Sequence, residues 1–434
     1  MLVKKDMNIP LFDLLSCLSE VIDLVNTDLS EHHKKVAFIA YCLATQIGLP
    51  KKERDELLLA GKIHDIGALS GQERMDTLRF ELGHSHHHAT IGAELLKGFK
   101  PLTGVAHLVR FHHTYWDGGN GKTDGGERVP LGSHILHLAD RIAVLVGHRS
   151  HILSNTDKIC KRIQAQSDAM FMPELVDAFL VLARKESFWL DLASPSLSNL
   201  LRRRVRLETI DLNLDDLLSL GQVFASIIDF RSSFTATHSS GVAASASALA
   251  RLAGFSDREC QMMTVAGFLH DLGKLAVPTE ILEKPGKLSA QERRIVSCHP
   301  FYTFRTLESI NDLAQINAWA GFHHEKLDGQ GYPFRLHGRD LSIGSRIMAV
   351  ADVFTALTED RPYRAGMTTE KSLEIVETMA KDKALDGRMV MILSQNIDKI
   401  NQLRVISQSE SARQYQTLQH QTGKLSSSAG HPLN

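Results

Sequence analysis

Histidine and aspartate recur along this chain in an order that suits metal chemistry. His32, an adjacent His64-Asp65 pair, His88, an adjacent His112-His113 pair and Asp140 stand in the first half. His238, His270-Asp271, His299, His323-His324 and Asp352 stand in the second, in the same order and at a separation of about 210 residues throughout. The flanking segments agree: AGKIHDIGAL answers AGFLHDLGKL, and HLADRIAVL answers AVADVFTAL. The drift in separation is absorbed mainly between the His-Asp pair and the next histidine, where the second half carries VPTEILEKPGKLSAQE. Duplication followed by divergence accounts for this register; chance placement does not. Within His32-His33 and within His86-His87-His88, only the repeat alignment selects His32 and His88.

Imidazole and carboxylate donors together suit iron, manganese, zinc or nickel, and the absence of thiolates disfavours a structural zinc knot. In an adjacent His-Asp pair the carboxylate can bridge two ions while its neighbour ligates one. Two ions roughly 3.5–4 Å apart acidify a water between them and clamp the attacking and leaving oxygens of a phosphate ester. Phosphoester hydrolysis is the natural use of such a set. Taken singly, each piece has a plainer explanation: a His-Asp dipeptide is common, and clustered histidines are usually solvated. Asp140 and Asp352 in apolar stretches resist that explanation, because a buried carboxylate is unfavourable unless paired or metal-bound.

These side chains meet only if separate helices project them toward one core. Apolar residues at helical spacing cover 11–47, 135–146, 174–184, 214–230, 242–253, 262–269 and 347–357. The fold class read from this is all-α, two tandem helical bundles over residues 1–200 and about 205–406. Leu275–Ile281 is a short piece that could be extended. Gly/Pro-rich loops at Asp117–Gly126 and Asp328–Pro333 each follow a His-His pair and leave a helix end. The Ser/Gln-rich stretch 408–434 reads as a disordered tail.

Composition narrows the function classes. The 434 residues are 43% hydrophobic and 23% charged, and 49 Lys+Arg balance 50 Asp+Glu, so no basic field exists to gather polymeric nucleic acid. Cys17, Cys42, Cys160, Cys260 and Cys298 form no CxxC pair, which fits buried free thiols in a reducing, cytoplasmic setting. No apolar run reaches the roughly 18–20 residues of a membrane span, and the first residues show no signal-peptide pattern.

The second half resembles an HD-GYP domain, the phosphodiesterase branch of the HD phosphohydrolases. The resemblance runs through His238, HDLGK (270–274), VPTEILEKPGKLSAQE, His299-Pro300, HHEKLDGQGYP (323–333), ADVFTAL and RPYR (361–364). It implies an all-α fold, an iron or manganese centre, and hydrolysis of cyclic di-GMP, the family default, to the linear dinucleotide or onward; the hybrid 3′,3′-cyclic GMP-AMP is physically acceptable, since the chemistry acts on the phosphates. Carried over, His238, His270, Asp271, His299, His323, His324 and Asp352 bind metal, with Asp271 as the catalytic bridge. Lys274 sits beside the scissile phosphate, and Tyr332, Arg361 and Arg364 contact substrate, although Gly331-Tyr332-Pro333 reads equally well as a structural turn. Phe234 stands where trinuclear members place a glutamate, so two divalent ions per centre are expected.

The first half resembles the wider HD family, with His32, His64, Asp65, His88, His112, His113 and Asp140 filling the ligand positions. Ala68 stands where Lys274 stands, and the loop after His113 has no Tyr-Pro. Asp28 offers either a further carboxylate or a helix N-cap. The expectation is a metal-loaded domain acting as a 5′-nucleotidase on the linear product; the competing expectation is a regulatory or dimerising domain. The partners expected are a cyclic dinucleotide and either a second copy of the chain or a signalling protein, with no polymeric nucleic acid and no membrane. A rival from another class is a module that senses cyclic dinucleotides without hydrolysing them.

Overall fold

A computed structural model of the chain describes residues 7–24, 31–68, 73, 76–77, 79–80, 86–147, 151–204, 210–230, 237–360 and 365–428. Asp28, Phe234, Arg361 and Arg364 lie outside the described residues, as do the side chains of His86 and of 418–428.

Helices dominate, as the periodicity predicts. The strands among the described residues are two-residue pieces: Ile9–Pro10 pairs with Asp211–Leu212, and Thr123–Asp124 with Glu127–Arg128. The chain divides into two compact units, Leu18–Ile210 with Thr422–Asn434, and Met1–Cys17 with Asp211–Gln421. Residues 7–17, expected in the first domain, thus belong with the second. Ile9 and Leu212 are fully buried partners in the short antiparallel ladder, and the Cys17 thiol donates to the Thr306 carbonyl at 3.1 Å.

In the N-terminal unit the helices that carry the conspicuous residues are α2 (His32–Gln46), α3 (Lys51–Ile63), α4 (His86–Leu96), α5 (Thr103–Arg110) and α6 (Leu131–Val146), preceded by α1 (Leu11–Asp23), which belongs to this unit from Leu18 on. Helix α2 packs on α3 and α6, and Val36, Ile39 and Leu43 of α2, Leu58 and Ile63 of α3, and Ile135, Leu138 and Ile142 of α6 are all buried. The C-terminal unit repeats the plan with α7 (Leu214–Phe230), α8 (His238–Leu252), α9 (Asp257–Leu269), α10 (His299–Leu307), α11 (Ala314–Gly321) and α12 (Ile343–Thr358). Helix α9 starts where its sequence says it must: Ser256 and Glu259 form a reciprocal capping box.

Two glycines in each unit set how closely the site-bearing segments approach. A Cβ on Gly61 would lie 2.5 Å from the Ala37 Cα, and one on Gly267 would lie 2.5 Å from the Ala243 Cα, so α3 crosses α2 and α9 crosses α8 nearly backbone to backbone. Just past the His-Asp pair, a Cβ on Gly67 would sit 2.1 Å from the His88 carbonyl oxygen, and one on Gly273 would sit 2.0 Å from that of His299. The turn after the pair is thereby pressed onto the helix that brings the next histidine.

Two expectations fail locally. Leu275–Ile281 forms no strand: a 3-10 turn over Leu272–Ala276 and a helical turn over Thr279–Leu282 take most of it and leave Val277 extended between them, with Leu272, Gly273 and Leu275 buried. Residues 408–428 of the stretch 408–434 expected to be disordered continue α13 (Ile397–Ser428), since their Gln, Glu, Ala and Arg residues favour helix and no proline interrupts them, while 429–434 lie outside the described residues. No helix among the described residues is long and apolar enough to cross a membrane.

Gly273→Ala should destabilise the chain by about 1–3 kcal/mol through overpacking against His299. Urea unfolding with intrinsic fluorescence measures this, and an unchanged midpoint would refute the close-contact argument.

Candidate metal centres

Each unit gathers its seven singled-out residues at one place. In the C-terminal unit His238 begins α8, His270 caps the end of α9, Asp271 follows it, and His299 begins α10. His323 and His324 leave α11, and Asp352 projects from the middle of α12. Asp271 is the hub: one oxygen lies 3.2 Å from His270 Nε2 and 3.7 Å from His238 Nε2, the other 3.2 Å from His299 Nε2. Asp352 closes the ring, 3.3 Å from His238 Nε2, 4.0 Å from His270 Nε2 and 3.7 Å from His324 Nδ1. His299 Nε2 and His323 Nε2 stand 3.1 Å apart.

The N-terminal unit builds the same figure. Asp65 lies 3.3 Å from His64 Nε2 and, through its other oxygen, 3.2 Å from His88 and 3.5 Å from His112. Asp140 lies 3.2 Å from His32 and 3.8 Å from His64. His113 Nε2 is 2.9 Å from His88 Nε2. Of the histidine run, His88 is buried at the centre while His87 is exposed.

The backbone dictates which nitrogen faces inward. His64, His112, His270, His299 and His323 each turn Nδ1 onto the carbonyl three residues earlier, at 3.1, 2.6, 2.7, 2.7 and 2.6 Å. A carbonyl only accepts, so Nδ1 carries the proton and donates, and the Nε2 lone pair is left for a cation. His238 is oriented instead by Glu359, whose carboxylate lies 2.8 Å from its Nδ1 and also accepts from Gln408 on α13.

Electrostatics point the same way. Burial alone would raise the Asp271 carboxyl, yet His270, Lys274 and hydrogen bonds from His270 and His299 hold it well below the usual carboxylate range. Burial lowers the His324 imidazole to about 3 and His112 to about 4, so both are neutral donors at pH 7. Burial also disfavours a charged His64, but Asp65 and Asp140 overcome it and push its pKa up to about 10. A pocket that draws a proton so strongly calls for positive charge. In it Asp65 Oδ1 and Oδ2, Asp140 Oδ1 and the Nε2 atoms of His32, His64 and His112 are buried without a hydrogen-bond partner. The donor set therefore fits divalent ions, with ligand-type atoms within 4.8 Å of one another in Asp65-His88-His112-His113, His32-His64-Asp140, His299-His323-His324 and His238-His270-Asp352.

The centres differ at their edges. Lys274 donates to Asp271, whereas Ala68 is fully buried at the matching place in the N-terminal unit. There a buried Arg141 donates to Asp140 and, at 2.8 Å, to the Thr77 carbonyl. The Tyr332 ring lies 4.8 Å from that of His324. Buried Glu325 holds the loop beyond it, accepting from the Phe334 and Leu336 amides at 2.7 and 2.9 Å. Glu325, Glu359, Asp23 and Asp229 escaped the sequence reading. A signal existed for the last two, since Asp23 precedes His32 by the same interval that Asp229 precedes His238.

Comparison with known proteins agrees with the duplication. Residues 29–145 and 222–389 each match the HD domain family. The 3′3′-cGAMP-specific phosphodiesterase 1 of Vibrio cholerae serotype O1 is 29% identical over 416 residues, 93% of this chain and 95% of that protein. Phosphodiesterase 3 of the same name and organism is 34% identical over 293 residues, 66% of this chain and 62% of it. The cyclic di-GMP phosphodiesterase response regulator RpfG of Xanthomonas campestris is 34% identical over 181 residues, 41% of this chain and 48% of that protein. The crystal structure of a V. cholerae cyclic GMP-AMP specific phosphodiesterase superposes with a TM-score of 0.63 at 25% identity, covering 90% of this chain and 98% of that one.

Glu359→Gln should loosen His238 and weaken metal retention at the C-terminal centre by about 10–100-fold. Metal titration with a competing chelator reads this, and unaltered affinity would remove Glu359 from the site.

Proposed function

The chain belongs to the HD domain family, with one copy in each half and the second of the HD-GYP type, and on that footing we propose that the C-terminal centre opens cyclic dinucleotides while the N-terminal centre acts on a different phosphoester. The reading rests on one observation: a complete ring of five imidazoles and two carboxylates with Lys274 at its edge, in a chain collinear over almost its whole length with a relative named as a phosphodiesterase of 3′3′-cGAMP. The relatives named for cyclic di-GMP match only part of the chain. The hybrid cyclic GMP-AMP is therefore the favoured substrate, with cyclic di-GMP as the second.

Two divalent ions per centre, iron or manganese, suit a donor set of imidazole and carboxylate. When bound, they lower the pKa of a water and draw negative charge from the phosphoryl oxygens. The chain does the rest. Asp271 presents an oxygen to each side of the centre, holding both halves of the donor ring in one register. Lys274, tied to Asp271, places a cation beside the phosphate where negative charge grows as the 3′ oxygen leaves. The tautomers that backbone carbonyls fix at His270, His299 and His323 leave the Nε2 lone pairs facing the centre. Tyr332, packed on His324, walls the approach. Arg361 and Arg364, from the family pattern, are assigned to the second phosphate.

The N-terminal centre keeps every donor but lacks the lysine. A 5′-nucleotidase acting on the linear dinucleotide is the reading its donors support, because seven buried ligand-type side chains have no use in a scaffold. The five free cysteines fit a bacterial cytoplasm.

Product analysis separates the parts. Lys274→Ala should lower ring opening about 10²–10³-fold with metal content unchanged; equal activity would remove the lysine from the mechanism. Asp65→Ala should abolish release of terminal phosphate and spare ring opening. If neither activity changes, the nucleotidase assignment is wrong and the regulatory alternative stands.

A further inference from the structure

The N-terminal centre contains a histidine that the seven-residue pattern does not use. His33 follows His32 at the start of α2 and is 1% exposed. Its Nδ1 is hydrogen-bonded to the Asp23 carboxylate at the end of α1, while its Nε2 is buried without a partner. Its ring centroid is 5.1 Å from that of His64. Ligand-type atoms of His33, His64 and Asp65 fall within 4.8 Å of one another. We propose that His33 is an additional metal ligand of the N-terminal centre, binding through Nε2 and oriented by Asp23.

The C-terminal unit supplies the contrast. The matching residue there is Ser239, which donates to Asp229 twice, from its amide at 3.0 Å and its hydroxyl at 2.8 Å. The carboxylate at the end of the preceding helix is thus present in both units, but serine ends its hydrogen bonding there, whereas an imidazole extends it by one ring into the centre. A histidine kept only for packing would leave a buried nitrogen unsatisfied. A carboxylate–imidazole–metal relay uses both nitrogens, the arrangement typical of metal-bound histidine. An ion held by His32, His64, Asp65 and Asp140 would gain one protein donor relative to its C-terminal counterpart and lose one position exchangeable with solvent. The N-terminal centre should therefore release metal more slowly. The inference requires that this centre bind metal and is independent of which phosphoester it hydrolyses.

The test uses the full chain loaded with manganese or cobalt and challenged with a chelator, metal per chain being read over time by mass spectrometry. The wild type should release metal in two phases, and Asp271→Ala should remove the faster one. His33→Ser, which copies the C-terminal arrangement, should accelerate the slower phase at least about tenfold and shift the visible cobalt spectrum, leaving the faster phase alone. A folded His33→Ser chain with unchanged slow release and unchanged spectrum would overturn the proposal. Should that variant fail to fold, Asp23→Asn retains the ring and removes its orienting carboxylate. It should speed the same phase, and no change in release or spectrum would overturn the proposal equally.

Discussion

Two buried carboxylates per unit govern everything else in this protein. Asp65 and Asp140, and likewise Asp271 and Asp352, lie in water-excluded interiors where an unpaired charge is strongly unfavourable. His270 and Lys274 answer that charge at Asp271, His64 answers it at Asp65, and Arg141 answers it at Asp140. Imidazoles ring the carboxylates, and the tautomers of His64, His112, His270, His299 and His323 are set by carbonyls three residues back in the chain rather than by solvent. Those carbonyls are available because the helices stop at or near the histidines, and the helices stop there because glycine allows the following turn to press onto the next element. Backbone, burial and charge thus specify one another, and the site is part of the core rather than an addition to it.

Much of this was legible in the residues. The repeated order of histidine and aspartate carried the fold class and the convergence, because a duplicated pattern survives only where spacing matters. The helices at 135–146, 214–230 and 347–357 followed from periodicity, since their apolar stripes meet other stripes. What stayed hidden depended on partners far along the chain. Glu359 and Glu325 look like ordinary charged residues until the fold brings His238 to one and the Phe334 and Leu336 amides to the other. His33 resembled a spare member of a doublet, because only the fold shows Asp23 beneath it. The curl at Leu272–Ala276 and the helix beyond 408 were misread because local composition was weighed without the packing that decides short segments.

Comparing the units shows how a duplicated centre diverges without losing its donors. The changes fall on residues adjacent to ligands: Lys274 against Ala68, Val353 against Arg141, Ala349 against His137, Ser239 against His33. Arg141 occupies one oxygen of Asp140, whereas the matching oxygen of Asp352 faces His324. His137, buried and driven by desolvation to a pKa of about 3, stacks on Tyr115 in a place where the other unit has a methyl group. The electrostatic surroundings of a phosphate would therefore differ between the two although the donors are alike.

Gln408 sits on α13, past the last residue matched to the HD family, yet it donates to the carboxylate that aims His238. The histidine's tilt thus answers to a helix the domain does not own. Sequence drift in that appended rod can retune an inherited centre from outside, leaving each ancestral donor in place.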